Sequence, residues 1–404
     1  MIRRVTPRKV ELGYLRINRN AKKNVLNVLE TNRLSYGTYT RRFEQRFAAL
    51  HGCGHAVFCN SGTSALQIAL AALRELYRWK DGDQVLVPAL TFIATANIVI
   101  QNGLRPVFVD VDPLTYNLDP SQIERHVTSR TRAVIPVHLF GQPCDMDPIL
   151  RIARSHRLRV LEDSCETMFC RYKGRPVGSF GDAACFSTYV AHLLVTGVGG
   201  LVTTRSDRLQ RLCRSIMAHG RDPRYLSIDD DDRAHGRALE SIVSRRFRFV
   251  RMGYSYRATE MEAALGLAAL GSRRAIIRRR RANARLLTRL LRPFEENLQL
   301  PTVLKGAEHS FMMFPLTLRD GINREPLLNF LESRGIETRT LMPLLNQPFY
   351  VRQFGNLERR YPVAHRLNRQ GFYIPCHQGL SLQDLRYVAS VFSEYFSRAG
   401  RRRA

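Results

Sequence analysis

Residues 84–112, QVLVPALTFIATANIVIQNGLRPVFVDVD, read as a strand, a helix and a second strand. QVLVPA (84–89) is a short apolar run of buried-strand type. TANIVIQNG (95–103) has helical spacing and closes on Gly103. RPVFVDVD (105–112) returns to strand pattern. Two strands joined through a helix by short connections imply parallel pairing, with the helix laid on one face of the sheet.

The alternation continues on both sides. TSALQIALAAL (63–73) and MDPILRIARSHR (146–157) are helical, while AVIPVHLFG (133–141), LRVLEDS (158–164), AACFSTY (183–189) and GGLVTT (199–204) read as strands. The expected architecture is therefore α/β, a mostly parallel sheet covered by helices on both faces. Such sheets place function at the C-terminal ends of their strands. From about Glu260 the pattern changes. A long helix over 258–291 bridges into a smaller α+β region, with strands expected in 310–318, 335–343 and 372–376. The stretch 222–246, containing DDDDR (229–233), reads as an exposed loop. A chain of 404 residues is long for one core. The reading divides it into an N-terminal arm (1–30), a large α/β domain (31–257) and a bridging helix with a small C-terminal domain (258–404).

Composition narrows the class. The longest apolar runs, such as 65–73 and 92–100, are too short to span a bilayer, and the N-terminus lacks the apolar core of a signal peptide. A cytoplasmic protein is expected. The eight cysteines, at 53, 59, 144, 165, 170, 185, 213 and 376, include no C-x-x-C pair. Zinc and iron–sulfur spacings are thus absent, no metal site is expected, and the cysteines read as buried free thiols. The net charge of +28 comes almost wholly from arginine, since only six of the 63 basic residues are lysine. The densest run, RRAIIRRRRANARLLTRLLR (273–292), interleaves Ile and Leu at helical spacing and reads as a solvated helix face. The charge would attract a phosphorylated substrate; nucleic acid is not an expected partner.

Three segments carry chemistry. In NSGTSALQIAL (60–70) a small-residue turn runs straight into a helix. Backbone N–H groups there, with the Thr63 and Ser64 hydroxyls, suit a phosphate, although Ser and Thr also cap helices. VLEDSCE (160–166) puts Asp163 just past a buried strand, where a carboxylate can pair with a protonated pyridine nitrogen. CFSTYVAHLLVTGVGGLVTT (185–204) places Ser187, His192 and a Gly-rich turn between two strands.

In this order and spacing the segments resemble the DegT/DnrJ/EryC1/StrS family of sugar aminotransferases. The resemblance runs through RLSYGTYTRRFEQRFAALHGCGHAVFCNSGTSALQIAL (33–70), residues 85–120, VHLFGQPCDMDPI (137–149), YKGRPVGSFGDAACFS (172–187), MGYSYRATEMEAALGLAAL (252–270), GIETRTLMPLLNQPFY (335–350) and FYIPCHQGLSLQDL (372–385). It implies the fold type I architecture of pyridoxal-phosphate enzymes, as a homodimer with sites at the subunit interface. By the same resemblance Gly62, Thr63, Ser64 and Ser187 would hold the cofactor phosphate. Phe92 would stack on the ring, Asp163 would face the ring nitrogen, and Glu166 would lie near the 3-hydroxyl.

This chain departs from the family pattern at three positions. Ser255 stands where a partner-subunit asparagine usually binds phosphate, Val198 replaces the carboxylate of the usual TGEGG, and His192 stands where the Schiff-base lysine belongs. None of the six lysines, at 9, 22, 23, 80, 173 and 305, lies in a strand-end motif. An imidazole makes no stable imine, so the cofactor, pyridoxal 5'-phosphate or pyridoxamine 5'-phosphate, is expected to bind without a covalent bond. His192 can act as a base instead. The resemblance then points to the branch of sugar-nucleotide 3-dehydratases, of the type without an iron–sulfur cluster. The expected substrate is a 4-keto-6-deoxyhexose on a nucleotide, with glutamate or a similar amino donor. A sugar aminotransferase and a catalytically dead binding protein are the alternatives. His219 and His377 are either substrate contacts or ordinary surface or core histidines.

Overall fold

The computed structural model describes residues 8–223, 232 and 234–401. Nine strands lie in its first half: β1 (His55–Cys59), β2 (Gln84–Pro88), β3 (Arg105–Val109), β4 (Thr131–Val134), β5 (Arg159–Asp163), the short hairpin β6 (Arg171–Tyr172) and β7 (Arg175–Pro176), β8 (Ala183–Ser187) and β9 (Gly200–Thr204). Seven of them form one sheet in the order β1-β9-β8-β5-β4-β2-β3. Pairing is parallel from β3 through β8, and β9 is inserted antiparallel between β8 and β1.

The opening stretch folds as its pattern requires. Helix Ile93–Gln101 crosses from β2 to β3, which pair in parallel from Gln84↔Arg105 to Pro88↔Val109. Three readings need correction. AVIPVHLFG is a strand only as far as Val134, because Pro136 has no N–H to continue the ladder. A 3-10 turn, Leu139–Gly141, follows it, with Phe140 at φ 57°. HAVFC, in which no strand was expected, forms β1. Within 222–246, helix Gly236–Val243 replaces part of the expected loop, while residues 224–231 and 233, most of the acidic run, lie outside the described residues.

A second, antiparallel sheet has the order β10-β11-β13-β12, from Leu298–Gln299, Phe314–Leu318, Gly371–Ile374 and Arg339–Thr340 respectively. Helix Glu260–Leu291 starts with the Glu262 carboxylate reaching back to accept from the Thr259 N–H (2.6 Å). Its first half packs Ala263, Leu267 and Leu270 into the core around the large sheet. Its last turns pack Ala284, Leu287 and Leu291 with Phe314, Phe372 and Phe392 of the second core. No helix among the described residues is long and apolar enough to cross a membrane. Among them, too, no three His, Cys, Asp or Glu side chains are grouped to hold a metal.

One buried carboxylate ties the sheet to the β6–β7 hairpin. Alternation along β5 sends Glu162 to the face opposite Asp163. Its Oε1 accepts from the N–H groups of Phe180 (2.7 Å) and Gly181 (2.8 Å), and its Oε2 from Gly178 (2.8 Å), with His138 Nε2 at 3.2 Å. Glu162→Ala would strand the buried N–H groups of Gly178 and Phe180 and the half-buried one of Gly181. A loss of roughly 3–5 kcal/mol is expected, seen as a melting temperature several degrees lower by calorimetry. An unchanged melting temperature would refute this role.

Candidate active site

The C-terminal ends of β5 and β8, the loop after β2 and the start of helix Gly62–Tyr77 open on one cavity of about 440 Å³. Gly62, Thr63, Phe92, Asp163, Glu166, Ser187 and His192 all line it. None of the six lysines does. Two expected residues do not line it either. Ser64 is in the helix cap, its N–H donating to Ser61 Oγ (3.0 Å) and its Oγ accepting from Ser61 Oγ (2.9 Å). Ser255 is exposed, its Oγ accepting from Arg257 (3.2 Å); its expected role is in the site of a second copy, which a single chain does not display.

Gly62 is required by close approach. A Cβ there would lie 2.6 Å from Ser187 Cβ and 2.9 Å from Cys165 Sγ. The first turn of the helix is therefore pressed against the end of β8, with its amide groups and the Ser187 hydroxyl side by side. Such an arrangement, electropositive at a helix N-terminus, can serve as a phosphate cradle. In Gly62→Ala the helix start must shift, and at least tenfold weaker pyridoxal-phosphate binding is expected by absorbance titration. Affinity equal to wild type would show that the cradle lies elsewhere.

Asp163 is buried at the floor. Its Oδ2 accepts from Thr95 Oγ1 (2.8 Å), which is itself 2.9 Å from Thr91 Oγ1, and its Oδ1 accepts from the Cys165 N–H (3.1 Å). Burial raises the carboxyl's pKa, and these two donors only partly oppose it. A buried carboxylate seeks a cation, and the Asp163 partners among the described residues are a hydroxyl and an amide. A protonated pyridine nitrogen fits that demand. Glu166 Oε2 accepts from Phe140 N–H (2.8 Å), and burial, aided by the Asp163 charge, pushes its carboxyl up to about 7. At the mouth, Phe92, Tyr189 and Val198 are 56%, 51% and 48% exposed, an apolar rim that a flat ring can cover.

His192 sits in a closed loop. Thr188 N–H donates to Gly199 O and Thr196 N–H to Thr188 O, both at 2.9 Å. Gly199 has φ 145°, and a Cβ on it would meet Thr188 Oγ1 at 2.5 Å. Leu193 and Leu194 anchor the loop in the core. The imidazole Nδ1 lies 3.2 Å from Ser187 O, which as an acceptor selects the Nδ1–H tautomer and leaves the Nε2 lone pair available. Burial, with a smaller push from the Arg280 charge, lowers this imidazole to about 4 despite the Ser187 carbonyl. At neutral pH it is uncharged, the form a base requires.

Sequence reasoning missed Thr95, although Thr91 and Thr95 stand four apart around a helix start beside the expected ring contact Phe92. It also missed the opposite wall, which Met312, Met313, Met342 and Tyr373 supply from the C-terminal half. His377 is a core histidine, with Nε2 2.9 Å from Glu11 O and its ring stacked on Tyr14. His219 is paired with Arg257 outside the cavity.

Parallel sheet, phosphate cradle, buried aspartate and apolar rim together define a pyridoxal-phosphate-dependent enzyme of the aminotransferase fold. A family model matches residues 16–393, and the chain belongs to the DegT/DnrJ/EryC1/StrS aminotransferase family. GDP-perosamine synthase of Caulobacter vibrioides is 34% identical over 390 residues, 96% of this chain and 98% of that protein. The dTDP-4-dehydro-2,6-dideoxy-D-glucose 3-dehydratase of Saccharopolyspora spinosa is 34% identical over 394 residues, 91% of this chain and 82% of that protein. Among solved structures, E. coli GDP-4-keto-6-deoxy-D-mannose-3-dehydratase with bound hydrated PLP superposes with a TM-score of 0.85 at 27% identity, covering 95% of this chain and all of that one.

Proposed function

We propose that this B6-dependent, sugar-nucleotide-modifying enzyme removes the 3-hydroxyl of a nucleotide-linked 4-keto-6-deoxyhexose, with His192 as the base and no bond between chain and cofactor. The observation that carries the reading is a neutral imidazole with an available Nε2 on a cavity wall that holds no lysine.

When bound as pyridoxamine phosphate, the cofactor supplies a primary amine for the sugar's ketone and an electron-withdrawing ring. Gly62, Thr63 and Ser187 hold its phosphate, Phe92 covers the ring, and Asp163 keeps the ring nitrogen protonated. Glu166, with a carboxyl pushed up to about 7, borders the cofactor ring's own 3-hydroxyl side. His192 Nε2 takes a proton from the carbon bearing the amine and can return it to the departing sugar hydroxyl, which leaves as water. A lysine here would do the same work and also recapture the cofactor; an imidazole cannot. The two electrons that replace the hydroxyl come from an amino donor such as glutamate, whose nitrogen ends as ammonia. In this reading the working unit is a homodimer, in which Ser255 of each copy serves the other's phosphate site.

The test is mass spectrometry of products from a panel of 4-keto-6-deoxy sugar nucleotides incubated with pyridoxal phosphate and nitrogen-15 glutamate. A product one oxygen atom lighter than its substrate, with labelled ammonia released, is expected. A product that keeps the label would make the enzyme an aminotransferase and overturn the proposal, as would failure to consume any member of the panel.

A further inference from the structure

Most of the arginine run of helix Glu260–Leu291 is solvent-exposed, as its pattern implied, but the face it forms is not flat. Arg274, Arg278, Arg281 and Arg285 line a concavity of about 470 Å³ whose far wall is the segment Phe169–Arg171 with Pro176. Arg281 and Arg285 also line the next one, about 760 Å³, together with Arg289 and Arg292, against residues 301–311. Shared side chains make the two into one trough. Its arginines recur every three or four residues, so they stand on one side of the helix. From Arg274 to Arg292 the helix rises about 27 Å.

These cations are not balanced. Arg281 is paired with Glu308 (2.9 Å). Arg274, Arg278, Arg285 and Arg289 are exposed, as is Arg292, and their side chains have no hydrogen bond or ion pair within the described residues. Elsewhere the chain does pair its arginines, as in Arg214–Glu44, Arg334–Glu394 and Arg132–Asp83. Like charges at this spacing oppose the helix they stand on, so a bound anion would relieve the strain.

We infer that the trough is a binding site for a linear chain of phosphate groups, separate from the catalytic cavity and recognised through its phosphates alone. Guanidinium groups favour phosphate, by bidentate hydrogen bonds. One sugar nucleotide carries too few phosphates to engage cations spread along the whole trough. The concave shape does not suit a flat lipid surface. Phe311 in the trough wall is already stacked on His309, centroids 3.8 Å apart, so it offers no free pair of faces for nucleobases.

The probe is end-labelled inorganic polyphosphate, followed by fluorescence anisotropy with the full-length protein. Arg278→Glu/Arg285→Glu is expected to weaken binding at least tenfold. The salt slope should fall by roughly one unit per arginine removed, while the rate on sugar nucleotide stays unchanged and the melting temperature does not fall. Arg289→Glu/Arg292→Glu, at the other end, should weaken it as well. Equal affinity in both variants overturns the site. Competition by orthophosphate at matched phosphate concentration would show a point-anion site and overturn the linear ligand. Tighter binding of a single-stranded oligonucleotide than of polyphosphate would overturn recognition through phosphates alone.

Discussion

His192→Asn is expected to lower the rate of sugar deoxygenation by roughly 10²- to 10⁴-fold, the usual worth of a positioned proton-transfer group. Cofactor affinity should stay within a few-fold of wild type, because the proposed phosphate and ring-nitrogen contacts do not include His192. Asparagine can keep the hydrogen bond to Ser187 O through its amide, so the loop should survive. What it lacks is a basic nitrogen where Nε2 now stands. The pH profile offers an independent check. An imidazole at its ordinary pKa of about 6.5 would be half protonated there. Burial lowers this one to about 4, so its base form persists as the pH falls. The acid limb of kcat/KM assigned to His192 should therefore lie well below 6.5. An asparagine variant as fast as wild type would remove His192 from the reaction. His192→Lys adds a qualitative test, since borohydride should trap a chain-linked cofactor in that variant and not in wild type.

Asp163→Asn is expected to weaken pyridoxal-phosphate binding by about 10- to 100-fold, from the loss of a charge-assisted hydrogen bond worth roughly 1.5–3 kcal/mol. Turnover at saturating cofactor should fall at least as far, because a neutral amide no longer holds the ring nitrogen protonated. Stability without cofactor should move the other way. The folded-state pKa of Asp163 is raised. Its carboxyl thus favours the folded state most below its unfolded pKa, and that contribution is lost as pH rises through the raised value. At neutral pH the cofactor-free wild type carries the cost of a buried carboxylate, and the asparagine variant does not. The variant should therefore melt at the same temperature or higher without cofactor, while binding cofactor and turning over worse. A variant with unchanged cofactor affinity and rate would show that the carboxylate does not face the ring nitrogen.

Much of the site was legible as a linear pattern. Asp163 and Ser187 lie on strands that the apolar runs announce, and Gly62 stands where a small-residue turn runs into a helix. The lysine-to-histidine change needs no structure to be seen. Other features were hidden because periodicity records that a face is buried but not what buries it. The Thr95 hydroxyl reaches Asp163 across 68 positions of chain. Ser64 looked like a phosphate donor and is part of a helix cap, since Ser61 one turn earlier competes for its N–H. The arginines of 273–292 read as a solvated face, and only the hairpin and residues 301–311 standing opposite turn that face into a trough.

By itself, the chain's order of residues determined most of the elements, the family resemblance and the absence of an amine at position 192, because these depend on local spacing and residue chemistry. Tertiary structure alone decided the antiparallel placement of β9, the methionine wall, and the depressed basicity of His192. Each of those arises from groups brought together from distant parts of the chain, and from the exclusion of water around them, which no local pattern encodes.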